Sequence, residues 1–298
     1  MDKNVKIFAS CHNHSTFSDA DYTPEKLVEL AKELGHGGII LTDHDTVSGT
    51  YFTNKAARKA GLKSILGCEF STYHKGRGVH LLGFDFNPDN KRIKELLDYC
   101  SGIQTDRSEV LFKWGLESGA LRDGLTWQDV LDDNPYNTYI CNNQVFRSFL
   151  KRGIYQYEEY EEFFQKNFRY GVHDEAKIAE ITGKTYKEIH TEMVVKAILD
   201  AGGVPIIAHP HGQQNCVNDF LNMGVMGFET RHSMLTPEEH KFYEELCEEH
   251  GLYKMGGADH ENVLGGLLVF PDPSYDCPYE HSGVIEEDFM NLYERRLG

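Results

Sequence analysis

The chain has 298 residues, enough for one large α/β domain with an inserted subdomain. Its 47 acidic residues against 30 Lys and Arg give a formal charge of −17, which argues against broad binding along nucleic-acid backbones. No apolar run approaches the roughly 18 residues of a membrane span. A hydrophobic share of 40%, with 17 Phe and 16 Tyr, is ample for a sizeable core. The opening MDKNVKIFAS turns polar at Cys11 and lacks a signal peptide's apolar region and cleavage site, so a cytoplasmic protein is expected. Seven cysteines, odd in number and never spaced C-x-x-C, argue against a disulfide framework and against a structural zinc site. Cys11 and Cys68 read as buried thiols.

The first 90 residues alternate strand and helix signals. VKIFAS predicts a strand, and Thr23-Pro24-Glu25 then opens a helix, with Thr as N-cap, Pro at the first position and Glu at the positive dipole end. Leu27, Val28, Leu30, Ala31 and Leu34 keep helical spacing, and Gly35 ends the run. Strand GGIILT, helix TYFTNKAARKAG, strand SILGCEF and strand GVHLLGF follow. This alternation predicts a parallel α/β sheet or barrel.

From about residue 91 to 185 the character changes. RIKELLDYCSGIQTDRSEVLFKWGLES, TWQDVLDD, NNQVFRSFLKRG and YEEYEEFFQKNF predict helices with no strand between them. Residues 91–185 are therefore expected to form a helical insertion, a cap, within a frame made of 1–90 and 186–298. Alternation resumes with helix KEIHTEMVVKAILDAGG, strand VPIIAHP and strand GVMGFETR. A helix then opens at Thr236-Pro237-Glu238-Glu239 with capping-box spacing, and strand LYKMGGADH follows. About seven strands, six of them carrying a candidate ligand, suit a closed or nearly closed β/α barrel.

His, Asp and Glu recur where these strands end, and parallel-strand enzymes gather their chemistry at carboxyl ends. His12 and His14, two apart on a strand, share a face, and Asp19 follows in a polar loop. Thr42-Asp43-His44-Asp45 reads either as a capping turn or as a ligand turn in which His44 binds and Asp43 supports it. Glu69 places a carboxylate on the third strand, where burial without a cation would be costly. His80, flanked by apolar residues, reads by itself as a hydrogen-bonded core histidine. His209 closes an apolar strand before Pro210. Gly256-Gly257-Ala258-Asp259-His260 ends the last strand, and its glycines let backbone approach closely. Arg231 and His232 are candidates for holding phosphate oxygens. Glu229 either orients a ligand or satisfies local backbone. His36, His173, His190, His240, His250 and His281 read as solvent-facing or capping residues, and His74 and His211 lie near the mouth without a motif. Imidazoles and carboxylates without paired cysteines suit hard-to-borderline divalent ions, so the pattern points to a multinuclear metallohydrolase.

The order H-x-H-S-x-x-S-D, T-D-H-D, G-x-E, H-L-L-G, A-H-P and G-G-x-D-H, spread between residue 7 and about 263, resembles the PHP (polymerase and histidinol phosphatase) superfamily. That resemblance implies a distorted seven-stranded β/α barrel holding two or three divalent metal ions, with zinc, manganese and iron all compatible. Carried over position by position, it implies a first metal held by His12, His14, Glu69 and Asp259. Glu69 would bridge to a second, completed by His80 and His209, and a third would use Asp19, His44 and His260. The insertion before AGGVPIIAHP, with the Arg107 region, resembles a branch of small bacterial phosphoesterases acting on nucleotides or short RNA ends. Members of that branch carry a Gly-Arg-x-His-like segment there. This chain reads Cys141-Asn142-Asn143-Gln144, with Arg147 shortly after, and the departure leaves the substrate open.

The expected function is hydrolysis of a phosphate ester on a small, nucleotide-like substrate. Water held between two ions would be hydroxide near neutral pH and would attack phosphorus in line. The ions, Arg231 and His232 would neutralise the phosphoryl oxygens, and Asp43 would act as a support or secondary participant. The alternatives are an amidohydrolase cleaving C–N bonds, a histidinol phosphatase and a non-catalytic metal-binding module. A small anionic phosphorylated molecule is the expected partner, with neither a membrane nor an extended nucleic acid.

Overall fold

The computed structural model describes residues 5–168, 179–180, 183, 185–259 and 282–297. Two very short strands, β1 (Ala9–Ser10) and β2 (Gly38–Ile39), pair in parallel. A second sheet holds β3 (Gly67–His74), β4 (Arg77–Phe84), β5 (Val204–Ile207), β6 (Gly227–His232) and β7 (Tyr253–Gly257), in that order. β5, β6 and β7 run parallel, whereas β4 is antiparallel to both neighbours. The parallel pairing expected from the alternation therefore holds for β1–β2 and β5–β7 but not for β4. Lys75 and Gly76, at φ 49° and 74°, make a two-residue turn, and a turn that short joins only antiparallel strands.

Ladder pairing stops between the two sheets, so regular hydrogen bonding does not run through seven strands. Isolated bonds bridge both seams. Cys11 N donates to Gly256 O at 3.0 Å and Asp259 N to His12 O at 3.0 Å, while on the other side Asp45 N donates to Glu69 O at 2.8 Å. Glycine permits each approach. A Cβ on Gly257 would sit 2.3 Å from His12 N, and one on Gly67 would sit 2.6 Å from Leu41 O.

Strand alternation sorts the layers. Leu82 and Phe84 of β4 join Ile40, Val204, Ile206 and Met255 in an inner cluster, closed by Phe289 and Leu292. Those two come from a C-terminal helix, Glu286–Tyr293, that the sequence reading did not anticipate because no side chain caps its start. Cys68, Phe70, Val79, Leu81, Ile207 and Phe228 face outward onto helices. Glu69 and His80 thus belong to the inner face, above an apolar plug.

The helices begin and end where their local chemistry dictates. In α1 (Pro24–Glu33) the Thr23 hydroxyl accepts from Lys26 N, and α2 (Thr50–Ala60) stops at left-handed Gly61. Between residues 91 and 185 the described residues form α3 (Lys91–Ser118), α4 (Trp127–Asp133), α5 (Asn142–Lys151) and α6 (Tyr160–Phe163), with no strand. Leu111, Phe112, Val130, Val145, Phe146, Phe149 and Phe163 from this stretch make a cluster of their own. Then come α7 (Thr191–Asp200), the unanticipated α8 (Val217–Met223), α9 (Pro237–His250) with its Thr236–Glu239 capping box, and the C-terminal helix, α10. Among the described residues no helix is long and apolar enough to cross a membrane.

Candidate metal centre

Glu69 is the hub. Fully buried on β3, its Oε2 lies 3.1 Å from His12 Nε2, His14 Nε2 and His44 Nδ1. Its Oε1 lies 3.0 Å from His80 Nδ1 and 3.2 Å from His209 Nε2. Asp259 Oδ1 closes the first group at 2.9 Å from His14 Nε2, and His80 Nδ1 and His209 Nε2 are 3.2 Å apart. Asp19 stands at the edge, with Oδ2 3.4 Å from His44 Nε2 and Oδ1 3.7 Å from His14 Nδ1. Eight of the nine expected ligands therefore converge, and the ninth, His260, lies outside the described residues.

The donor set fits divalent cations. Glu69 Oε2 is surrounded by three ring nitrogens, yet none is aligned to hydrogen-bond it, and His44 Nδ1 and Asp19 Oδ1 likewise lack hydrogen-bond partners. A buried carboxylate left so is costly unless a cation sits among the same atoms. The electrostatics agree. Burial disfavours charge on every group, but His12, His44 and His80 hold the Glu69 carboxyl well below its ordinary range. Burial also opposes protonation of His12, yet Glu69, Asp259 and Glu229 outweigh it and raise its pKa well above the usual imidazole value. His14 is raised in the same way by Asp259, Glu69 and Asp19. Protons here occupy a pocket built for positive charge, and cations binding there would displace them. His44 is the exception, pushed down to about 4 chiefly by burial, so its nitrogens are neutral donors near pH 7.

Backbone strain marks the two late-sequence ligands. His209 has φ 24° and Asp259 φ 48°, left-handed values that non-glycine residues seldom take and that cost on the order of 1–3 kcal/mol each. A carboxylate missed as a definite participant supports both groups. Glu229 Oε2 accepts from His12 Nδ1 at 3.1 Å and from His209 N at 2.6 Å. That bond fixes the His12 ring so that Nε2 faces Glu69 and Asp259, where it would offer its lone pair to a cation held among them. Glu229→Gln should weaken metal binding about 10–100-fold, read by competition against a chromophoric chelator; unchanged affinity would remove Glu229 from the centre.

The other expected participants divide. Asp43 is buried and accepts from Ser15 N at 2.6 Å, Ser15 Oγ at 2.8 Å and Ser18 Oγ at 2.8 Å. It holds the loop that follows His14 rather than reaching the centre. His232 does face the centre, with Nε2 3.5 Å from Asp259 Oδ2. Met234 N donates to its Nδ1 at 3.1 Å, so the neutral ring carries its hydrogen on Nε2, which has no hydrogen-bond partner. Arg231 does not join: its guanidinium pairs with Glu244 of α9 at 2.9 Å. A register shift between Glu229 and Arg231 breaks the alternation of β6, turning Glu229 and His232 inward and Arg231 outward. His240, expected as a solvent-facing or capping residue, is buried and bonded to Thr230 O at that irregularity.

The segment that departs from the Gly-Arg-x-His pattern grips the loop bearing Asp19. Asn143 Nδ2 donates to Asp19 O, Gln144 Nε2 to Ser18 O and to Thr16 O, and Arg147 Nη1 to Ala20 O at 3.1 Å. Asn137 Nδ2 adds a bond to Thr16 O at 2.7 Å, and the Tyr139 ring stacks on His44 at 6.4 Å. Nothing in the local sequence predicts these contacts, because they join residues more than ninety positions apart.

A profile of the PHP domain matches residues 10–174. The chain is 27% identical over 264 residues to a 5′-3′ exoribonuclease of Haemophilus influenzae, covering 86% of this chain and 90% of that one. It is 25% identical over 263 residues to a phosphoribosyl 1,2-cyclic phosphate 1,2-diphosphodiesterase of Eggerthella lenta, covering 85% and 94%. Among solved structures, a protein of Bifidobacterium adolescentis with a proposed metal-dependent phosphoesterase activity superposes with a TM-score of 0.71 at 23% identity, over 96% of each chain. At that identity the likeness speaks for the α/β fold alone.

Proposed function

The chain belongs to the PHP domain family and is a metal-dependent phosphoesterase; from that premise we propose that it hydrolyses a small, nucleotide-like phosphate ester carried on ribose. The observation that carries this reading is Glu69, a fully buried carboxylate ringed by five imidazoles, with one oxygen that no hydrogen bond satisfies. The ribose preference rests on what the two relatives have in common, since one is named for RNA and the other for a phosphoribosyl cyclic phosphate.

In this reading His12, His14, Glu69 and Asp259 hold one ion, Glu69, His80 and His209 a second, and Asp19, His44 and His260 a third. Divalent ions there supply Lewis acidity, polarising a phosphoryl oxygen and acidifying water. His232 Nε2–H donates to a non-bridging oxygen, a role its tautomer suits, and it does so without Arg231, which pairs with Glu244. Glu229 fixes His12, and Asp43 fixes the loop after His14 through Ser15 and Ser18. The helices between 91 and 185 act as a cap whose first duty is to hold Asp19 in place. The two sheets, bridged at both seams, are best read as one distorted barrel of seven strands.

The test is elemental analysis of protein purified without chelator, alongside turnover of a chromogenic phosphomonoester, nucleotides, a ribose cyclic phosphate and a short 5′-phosphorylated RNA. Roughly two or three ions per chain, with chelator-sensitive cleavage of the nucleotide-sized compounds, is the expected result. Cleavage confined to the RNA would overturn the small-substrate reading. Full metal occupancy with no phosphoester cleaved, or turnover unaffected in His232→Ala, would favour C–N hydrolysis instead.

A further inference from the structure

A second group of metal-ligating side chains lies away from the centre, on the outer side of the sheet. His74 is the last residue of β3 and stands five positions beyond Glu69. An odd separation puts it on the opposite face, and five residues of strand separate the two by roughly 17 Å. Its ring packs on Phe220 of α8 at 5.4 Å, and its side chain is only 12% exposed. Nε2 lies 3.1 Å from Asp219 Oδ2. Cys216 closes the turn Gln214–Cys216 that leads into α8, three residues before Asp219, so thiol and carboxylate share one side. A ring nitrogen, the thiol sulfur and a carboxylate oxygen all lie within 4.8 Å of one another.

We propose that His74, Cys216 and Asp219 form a separate site for a zinc-like divalent ion, pinning the β3–β4 hairpin to α8. Nitrogen, sulfur and oxygen donors from three residues, with one position left for water, are the chemistry zinc accepts. At bond lengths of about 2.0–2.3 Å the ligand atoms would stand roughly 3.5 Å apart, which asks the widest pair of the present cluster to close by at most about 1.3 Å. The arrangement already attracts a cation. Lys75 Nζ lies 2.6 Å from Asp219 Oδ2, but this lysine is two-thirds exposed on the hairpin turn and free to swing into water. A divalent ion with three anchored ligands would displace it. The absence of a C-x-x-C pair led the sequence reading away from any cysteine-bearing zinc site. Here the ligands come from two elements, and His74 and Asp219 are 145 positions apart.

The site is read out by sulfur, because none of the residues proposed for the main centre is a cysteine. The full-length protein is loaded with zinc, and separately with cobalt(II). Wild type should bind one more equivalent of zinc than Cys216→Ser, and its cobalt form should show a near-ultraviolet thiolate-to-metal band that Cys216→Ser loses. His74→Ala should lose the same equivalent, whereas Lys75→Gln should bind zinc about threefold or more tighter by removing the competing ammonium. Turnover should be unchanged in all three variants. Equal zinc content in wild type and Cys216→Ser overturns the proposal. So does a band that persists in that variant, since it would come from Cys11 or Cys68 beside the main centre.

Discussion

Replacing Glu69 with Ala is expected to empty two metal positions together and to lower kcat by at least about 10³-fold. Removing a single donor from a preorganised electrostatic site already costs roughly 10²–10³-fold, and Glu69 is the one side chain within 3.2 Å of five imidazoles. Without it, His12 and His14 keep Asp259, but the His80 and His209 ring nitrogens lose the one carboxylate oxygen that lies within 3.5 Å of them among the described residues. Glu69→Gln is the sharper companion variant, because it keeps the volume of a side chain with no exposure at all and removes only the charge. Elemental analysis gives the ion content, and circular dichroism checks that the α/β domain still folds. If Glu69→Gln retained the full metal complement, the shared-carboxylate arrangement would be wrong. Turnover surviving in either variant under rigorous exclusion of metal would contradict metal-dependent hydrolysis by this centre.

The convergence of the candidate ligands was legible in the sequence because most of them obey local rules. His12, His14, Glu69, His209 and Asp259 each follow an apolar run, and strand ends are where side chains from separate segments meet. His80 was legible only through family resemblance. It sits inside an antiparallel strand, where a flanking apolar pattern looks the same whether the inner face is filled by leucine or by imidazole. Arg231 failed for a different reason. A period of two cannot register a shift in strand pairing, and the irregularity at Thr230 exchanges the faces of everything after it. Glu229, before the shift, keeps its inward place, while His232 came inward as a consequence and Arg231 went to Glu244. The grip of Asn143, Gln144 and Arg147 on the Asp19 loop was invisible because it depends on where a helix lands, which no local pattern encodes.

That grip makes the helical stretch answerable for part of the metal chemistry, and Phe146→Ala tests the connection. Phe146 is wholly buried on α5, with ring contacts at 4.8 Å to Phe163, 5.1 Å to Tyr160 and 5.8 Å to Tyr155. Truncating such a side chain is expected to cost about 3–5 kcal/mol, through lost burial and the cavity left behind. The loss falls on a cluster drawn from residues 111–186 and does not touch the apolar plug on the inner face of the sheets. Calorimetry of the variant should therefore show an early transition for the helical stretch, preceding the main one. Loosening α5 also frees the neighbouring Asn143 and Gln144 from the Asp19 loop. Metal affinity should then fall first at the position using Asp19 and His44, while the pair of positions sharing Glu69 keeps its ions. A single transition, with all ions lost together, would mean that these helices and the sheets fold as one unit and that the helical stretch has no independent hold on Asp19.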